Sequence, residues 1–110
     1  MKTYKEFHGD IQISDIGKEL RRIVSIEKKS FKILTGYGST TGASLSKTSA
    51  LKSLKNMKKE GLIKGYLPGE VKNILLSENS PYYETKLNYE SILKSDIDFG
   101  NEGFIFVFVK

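Results

Sequence analysis

Apolar residues in this chain occur either in short runs or at helical spacing, and this pattern predicts alternating strands and helices. One helix, capped by Ser14 or Asp15, is predicted by apolar positions at i, i+4, i+7 and i+8: Ile16, Leu20, Ile23 and Val24. A second helix, from about Ser44 to Glu60, has an apolar side formed by Ala50, Leu51, Leu54 and Met57. Gly61 follows where a C-cap glycine is expected.

Four short apolar runs predict strands. They are Tyr4 to Phe7, Phe31 to Leu34, Leu62 to Leu67 and Phe104 to Val109. The last run is apolar at successive positions, as in a strand buried on both faces in the middle of a sheet. Because β-α-β connections between parallel strands are right-handed, the first three strands are expected to be parallel neighbours. The pattern therefore predicts an α/β fold with one four-stranded sheet and both helices on one face.

Residues 1–110 are expected to form a single domain, since this length supports one modest hydrophobic core. The regular pattern is interrupted at about residues 70–101, which we expect to be an irregular insertion with a short helix around Tyr89 to Lys94. Long insertions in small domains are usually functional or disordered.

The composition restricts the cellular setting. The chain has no cysteine, which excludes disulfides and thiol chemistry and fits a reducing compartment. It has no apolar run of membrane-spanning length and no secretory leader pattern at its start. We therefore expect a cytoplasmic protein that does not bind membranes.

The net charge of +5 is unevenly distributed. Residues 1–65 contain 14 Lys and Arg against 6 Asp and Glu, whereas residues 66–110 contain 4 against 7. This asymmetry predicts one basic and one acidic face, an arrangement that can orient a polyanion. Since lysine is also a common solubilising residue, charge alone leaves nucleic-acid binding and simple solubility as alternatives.

A glycine-rich segment with several hydroxyl groups separates the second strand from the second helix. Its residues are Thr35, Gly36, Tyr37, Gly38, Ser39, Thr40, Thr41 and Gly42. Glycines allow close backbone approach to a ligand, and a helix start presents unpaired N–H groups and a positive dipole end. This combination predicts a phosphate site, to which the second helix would add Lys47, Lys55 and Lys58. The glycine spacing fits neither a Walker A motif nor a dinucleotide fingerprint, so a nucleic-acid phosphate competes with a nucleotide phosphate. A connector that binds nothing is the alternative.

Tyr37 lies in the middle of this glycine-rich segment. An exposed aromatic ring beside a phosphate site can stack on a base. The alternative is that Tyr37 packs on the edge of the sheet.

Three motifs, in order along the chain, resemble those of the Smr domain, the small MutS-related domain. They are Lys5-Glu-Phe-His-Gly9, the Thr35 to Gly42 segment, and Asn101-Glu-Gly-Phe-Ile-Phe-Val107. The first family motif is Leu-Asp-Leu-His-Gly, so Lys5 and Glu6 replace its leucine and aspartate. Inserted Ser and Thr residues displace the third glycine of the second motif.

The resemblance to the Smr domain covers nearly the whole chain outside the insertion. It implies a two-layer α/β sandwich in β-α-β-α-β-β order, with a four-stranded mixed sheet similar to the C-terminal domain of translation initiation factor 3.

Smr domains bind nucleic acids, and several members nick DNA or cut RNA. Phosphodiester cleavage needs a base, an acid and positive charge around the phosphate. His8, the only histidine, would be the base, and Glu6 would orient it or handle a second proton. On a strand, residues at i and i+2 share a face, so these two side chains could point the same way. The alternative is that His8 ends the strand and bonds to backbone.

Two functions follow as alternatives: a standalone Smr-type endonuclease on RNA or structured DNA, or a non-catalytic module that binds RNA or the ribosome. No metal-ligand set is recognisable and no cofactor is required, because one histidine and scattered carboxylates do not form a metal site. Mg²⁺ held by Glu6 or Asp10 together with a substrate phosphate stays open.

Overall fold

A computed structural model describes residues 1–35 and 41–109, and for residues 41–44 it describes the backbone only. The strands are β1 (Lys2–Tyr4), β2 (Phe31–Leu34), β3 (Gly65–Pro68) and β4 (Phe104–Phe108). The helices are α1 (Ile16–Ile26), α2 (Thr41–Lys59), α3 (Tyr83–Asn88) and α4 (Glu90–Lys94). Two short 3₁₀ helices, Ile13–Asp15 and Gly69–Asn73, precede α1 and follow β3.

The four strands form one mixed sheet, which confirms the predicted four-stranded mixed sheet, and their order in it is β1-β2-β4-β3. β1 and β2 are parallel, whereas β4 is antiparallel to both of its neighbours, β2 and β3. β3 therefore runs in the same direction as β1 and β2, as expected, but the expectation that it is their neighbour is wrong, because β4 lies between β2 and β3. All five residues of β4 are buried, so this strand occupies an interior position. β3 ends in Pro68, which lacks an N–H group and is tolerated at a sheet edge.

One face of the sheet is covered by α1 and α2, as predicted. The predicted apolar stripes point inward, with Ile16, Leu20 and Ile23 of α1 and Ala50, Leu54 and Met57 of α2 all fully buried. They pack against Phe31, Ile33, Ile105 and Val107 of the sheet. Gly61 ends α2 with φ of 79°, and the Leu62 N–H donates to the Met57 carbonyl, which confirms the predicted C-cap.

The other face of the sheet is covered by residues 69–101, a segment that includes the insertion predicted at about residues 70–101 and is more regular than expected. This segment contains a 3₁₀ helix, α3 and α4, and the predicted helix near Tyr89 to Lys94 is α4. Its side chains form a second core cluster with β3 and β4, in which the ring of Tyr89 stacks on Phe108 at 4.0 Å. Strand alternation explains this arrangement, because Phe104, Phe106 and Phe108 point away from α1 and α2 and need cover of their own. The insertion therefore belongs to the core.

A buried ion cluster joins this second cover to the sheet. Lys32 of β2 places its ammonium 2.8 Å from Asp96 Oδ1 and 2.7 Å from Asp98 Oδ2. Burial by itself lowers the pKa of Lys32, but hydrogen bonds with Asp96 and then Asp98 outweigh it, so the pKa is raised above its ordinary value. Lys32 is consequently a structural cation, held on the face opposite to α2.

Candidate functional site

The ends of several strands meet at one edge of the sheet. Because β1 and β2 are parallel and β4 is antiparallel to β2 and β3, the C-terminal ends of β1, β2 and β3 lie beside the start of β4. Leu34 pairs with Phe104 and Pro68 pairs with Ile105 at this edge. Ligands of open α/β sheets bind outside the carboxyl ends of strands. We call this region, with the connections that leave and enter it, the strand-end edge.

Glu6 and His8 lie at the strand-end edge but not on a strand. β1 ends at Tyr4, and residues 6–10 form a turn in which the His8 N–H donates to the Lys5 carbonyl at 3.1 Å. The predicted strand from Tyr4 to Phe7 is therefore wrong in its bounds. Phe7 is fully buried, but it reaches the core from the turn and not from a strand. The i, i+2 argument for a shared face does not apply in a turn.

The side chains of this turn differ in exposure. His8 is exposed, whereas Glu6 is half-buried, and Glu6 Oε1 is buried with no hydrogen-bond partner among the described residues. Arg22 of α1 is within electrostatic reach of Glu6. The pKa of Arg22 is raised mainly by its hydrogen bond with Glu19, and the negative charge of Glu6 makes a smaller contribution. Glu6 is therefore half-buried within electrostatic range of α1, whereas His8 is exposed to solvent.

The glycine-rich segment begins at this edge. Thr35 is fully buried, and its N–H and Oγ1 both donate to the Gly103 carbonyl, at 2.7 and 3.1 Å. Thr41 and Gly42 form the first turn of α2, so this helix begins three residues before the predicted start at Ser44 and includes the last two residues of the glycine-rich segment. The remaining predicted phosphate ligands lie outside the described residues: Gly36, Tyr37, Gly38, Ser39 and Thr40.

Lys47, in the second turn of α2, is already engaged. Its ammonium lies 2.5 Å from Glu70 Oε2 and 2.9 Å from the Glu102 carbonyl oxygen. Glu70 follows β3 and Glu102 precedes β4, so the contact ties α2 to two connections of the strand-end edge. Gly69 allows these two connections to lie close together, since a Cβ at this position would lie 2.1 Å from the Asn101 carbonyl oxygen.

Glu70 also acts on a pair of tyrosines, of which Tyr66 is buried and Tyr82 is half-buried. Burial raises the pKa of Tyr82, and the negative charge of Glu70 raises it further. Tyr82 is hydrogen-bonded to Tyr66, whose pKa is raised to about 12, mainly by burial. Glu70 Oε1 is buried without a hydrogen-bond partner among the described residues. The two oxygens of this carboxylate thus differ: Oε2 is paired with Lys47, whereas Oε1 is buried and the charge of the group acts on Tyr82.

The other predicted lysines lie further along α2. At about 1.5 Å per residue, Lys55 and Lys58 are roughly 12 and 17 Å beyond Lys47, toward the C-terminal end of the helix. They belong to a group of exposed lysines that we call the α2 lysine row: Lys52, Lys55, Lys58 and Lys59. In the part of the chain that is described, no carboxylate is within salt-bridge distance of these four. The structure thus separates Lys55 and Lys58 from the strand-end edge.

Among residues 1–35 and 41–109, no group of three or more His, Asp or Glu side chains could hold a metal ion. Asp10 is exposed in the turn that contains Glu6. Nor is any helix in these ranges long and apolar enough to cross a bilayer.

Comparison of the chain with known proteins finds no matching family model, no matching curated protein and no matching solved structure.

Sequence reasoning did not identify Glu70 and Glu102 as part of the site. Both are remote from Lys47 in the chain, at separations of 23 and 55 residues. Neither belongs to a periodic pattern, and Glu70 lies at the start of the segment expected to be irregular. The only signal was the acidic composition of residues 66–110, which predicts an acidic surface but not its contact with Lys47.

Proposed function

We propose that this chain binds the phosphate backbone of RNA or structured DNA along α2 and the adjoining strand-end edge. The observation that carries the proposal is the α2 lysine row, four exposed ammonium groups without a carboxylate partner among the described residues. Lys52, Lys55 and Lys59 are spaced i, i+3, i+7, so they lie on one side of the helix. Such a row contacts phosphates without reading base sequence.

The start of α2 adds a second anion-binding element. Its first-turn N–H groups lack intrahelical partners and carry the positive end of the helix dipole. α2 has 19 residues and is therefore about 28 Å long, so a backbone running along it could contact both the helix start and the lysine row. The proposal includes membership of the Smr family, which rests on the three motifs. It also includes a cytoplasmic location, which rests on the absence of cysteine.

Binding without cleavage is the favoured form of the proposal. Lys47, the lysine nearest the helix start, is neutralised by Glu70, so a phosphate there must displace Glu70 or bind beside it. Binding through lysines and N–H groups needs no cofactor. A non-catalytic role, such as binding RNA or the ribosome, follows from these two points.

Cleavage is the second candidate, and one observation favours it. Glu6 has a buried carboxylate oxygen without a described hydrogen-bond partner, in the same turn as the exposed His8. A carboxylate and a histidine are groups that phosphodiester hydrolysis uses as proton handlers. If Mg²⁺ took part, Glu6 would be the carboxylate available to it.

The test compares two double variants that remove the same charge from opposite faces of the sheet. Lys55→Gln/Lys58→Gln changes the α2 lysine row, and Lys72→Gln/Lys94→Gln changes the cover formed by residues 69–101. Fluorescence anisotropy with labelled RNA and hairpin DNA is measured over a range of salt concentrations, with and without EDTA.

We expect the α2 variant to weaken binding to all sequences about equally and to reduce the salt slope by roughly two. The control variant should retain most of the affinity. Equal losses in both variants, or an affinity that does not respond to salt, would contradict the proposal.

A further inference from the structure

The segment that covers the second face of the sheet contains a cavity of about 420 Å³, which lies on the opposite side of the sheet from α2. We call it the second-face pocket. Its apolar lining consists of Ile74, Leu75, Leu76, Leu87, Leu93 and Phe99. Leu93 and Phe99 are buried and form the floor, whereas Leu75 is 99 % exposed and Leu87 is 60 % exposed at the rim. Exposed apolar side chains around an apolar cavity are typical of a binding site.

The charged side chains around this pocket are mainly positive. Lys72, Lys86 and Lys94 line it, with Glu90 as the only acidic residue among its lining side chains. Glu90 Oε1 is 3.3 Å from Lys94 Nζ, so its negative charge neutralises Lys94 and leaves the charges of Lys72 and Lys86 uncompensated by it. The surroundings of the pocket thus favour a negatively charged group over a neutral or positive one.

Two of these lysines have donors to offer. Lys86 donates to the carbonyl oxygens of Val71 and Ile74, at 2.7 and 3.3 Å, and an ammonium has three N–H groups, so one remains. Lys72 has no carboxylate within salt-bridge distance among the described residues. Its side chain extends over Gly100, where a Cβ would lie 3.1 Å from Lys72 Cδ. Both lysines therefore line an apolar cavity and have N–H groups that can pair with an anion.

We propose that the second-face pocket binds a small amphipathic anion, an alkyl or acyl chain that ends in a carboxylate or a similar charged group. The chain would occupy the apolar lining, and the head would pair with Lys72 and Lys86. At about 30 Å³ for each water-sized group, the cavity accommodates roughly a dozen heavy atoms, the size of a medium-length fatty acid. This site is independent of the proposed nucleic-acid surface.

The test uses three probes with the same chain length: decanoate, decanol and decyltrimethylammonium. Each displaces anilinonaphthalene sulfonate, a fluorescent apolar anion, from the purified protein. We expect decanoate to bind at least about fivefold more tightly than either of the others, because one or two exposed charge pairs increase affinity by about this factor. Equal affinity for decanoate and decanol would overturn the proposed anion preference, and no displacement by any probe would overturn the site.

Two matched variants locate the binding. Leu75→Glu and Ile97→Glu each place one carboxylate at a nearly fully exposed position, 99 % and 95 % exposed, but only Leu75 lines the pocket. We expect Leu75→Glu to weaken decanoate binding about tenfold and Ile97→Glu to change it by less than about twofold. Equal effects would overturn the assignment of the probe to this pocket.

Lys72→Gln tests the head group at an exposed position where folding is not at risk. It should reduce the affinity for decanoate but not for decanol, and it should leave RNA binding unchanged.

Light scattering completes the test by measuring the oligomeric state of the parent and of Leu75→Glu. If the parent is a dimer and Leu75→Glu is a monomer, the proposal is overturned and this surface is instead the contact with a second copy of the chain.

Discussion

Lys47 and Glu70 form an ion pair, with Nζ 2.5 Å from Oε2, that links the second turn of α2 to the 3₁₀ helix after β3. The lysine nearest the predicted phosphate site is thus already paired with a carboxylate. A phosphate that approaches the start of α2 must either displace Glu70 or bind beside it. Under the proposed function, this competition makes Glu70 the residue that limits phosphate binding at the strand-end edge.

Replacing Glu70 with glutamine should therefore strengthen nucleic-acid binding. The change removes one negative charge and releases Lys47, so we expect an increase of about three- to tenfold at low salt and a salt slope steeper by about one contact. Glu78→Gln removes the same charge at an exposed position and is the control. Anisotropy titrations at several salt concentrations measure both. An identical gain in the two variants would show that Lys47 takes no part.

His8→Ala separates binding from cleavage. Because His8 is exposed in a turn and the α2 lysine row is on a different element, we expect its nucleic-acid affinity to stay within about twofold of the parent. Nicking of plasmid DNA and cutting of labelled RNA are measured beside it, with Glu6→Gln as a second variant. If the parent cuts and His8→Ala does not, cleavage becomes the better assignment. If both cut equally, the activity uses another base or comes from a contaminant.

Lys32→Met should destabilise the fold strongly. It leaves Asp96 and Asp98 in a largely buried position without their cation, and breaking a buried ion cluster in this way costs about 3 kcal/mol or more in free energy of unfolding. Arg21→Met breaks an exposed pair with Glu60 and should cost less than about 1 kcal/mol. Urea unfolding measures both. The triple change Lys32→Met/Asp96→Asn/Asp98→Asn should recover part of the loss, and similar costs for the two single variants would contradict the assignment.

Alkaline unfolding should depend on Tyr66. Its pKa is raised from 10.0 to about 12, so the folded state keeps a phenol proton that the unfolded chain loses. The resulting stabilisation is complete below pH 10 and is lost as the pH rises toward 12, at about 1.4 kcal/mol per pH unit. Tyr66→Phe should reduce this slope, which urea unfolding at a series of alkaline pH values measures. The same slope in parent and variant would rule out Tyr66 as the source.

Local patterns in the sequence determined which segments are helices and strands of the core. The stripes of α1 and α2 and the continuous apolar run of β4 each follow from side-chain periodicity, which is a local property. The C-cap at Gly61 was equally local, since it requires only a positive φ after a helix. The same reasoning misplaced β1, because the burial of Phe7 by a turn resembles burial on a strand.

Tertiary structure alone decided the sheet order, the role of residues 69–101 and the partners of the lysines. The apolar run predicted an interior position for β4, but which strands flank it, and that both are antiparallel to it, depends on competition among all the strands and cannot be read from one segment. Lys32 and Lys47 resemble solvent-exposed lysines in the sequence, yet one is buried beside Asp96 and the other is paired with Glu70. Their partners lie 64 and 23 residues away, and electrostatic pairing at such separations depends on folded distance rather than on sequence spacing.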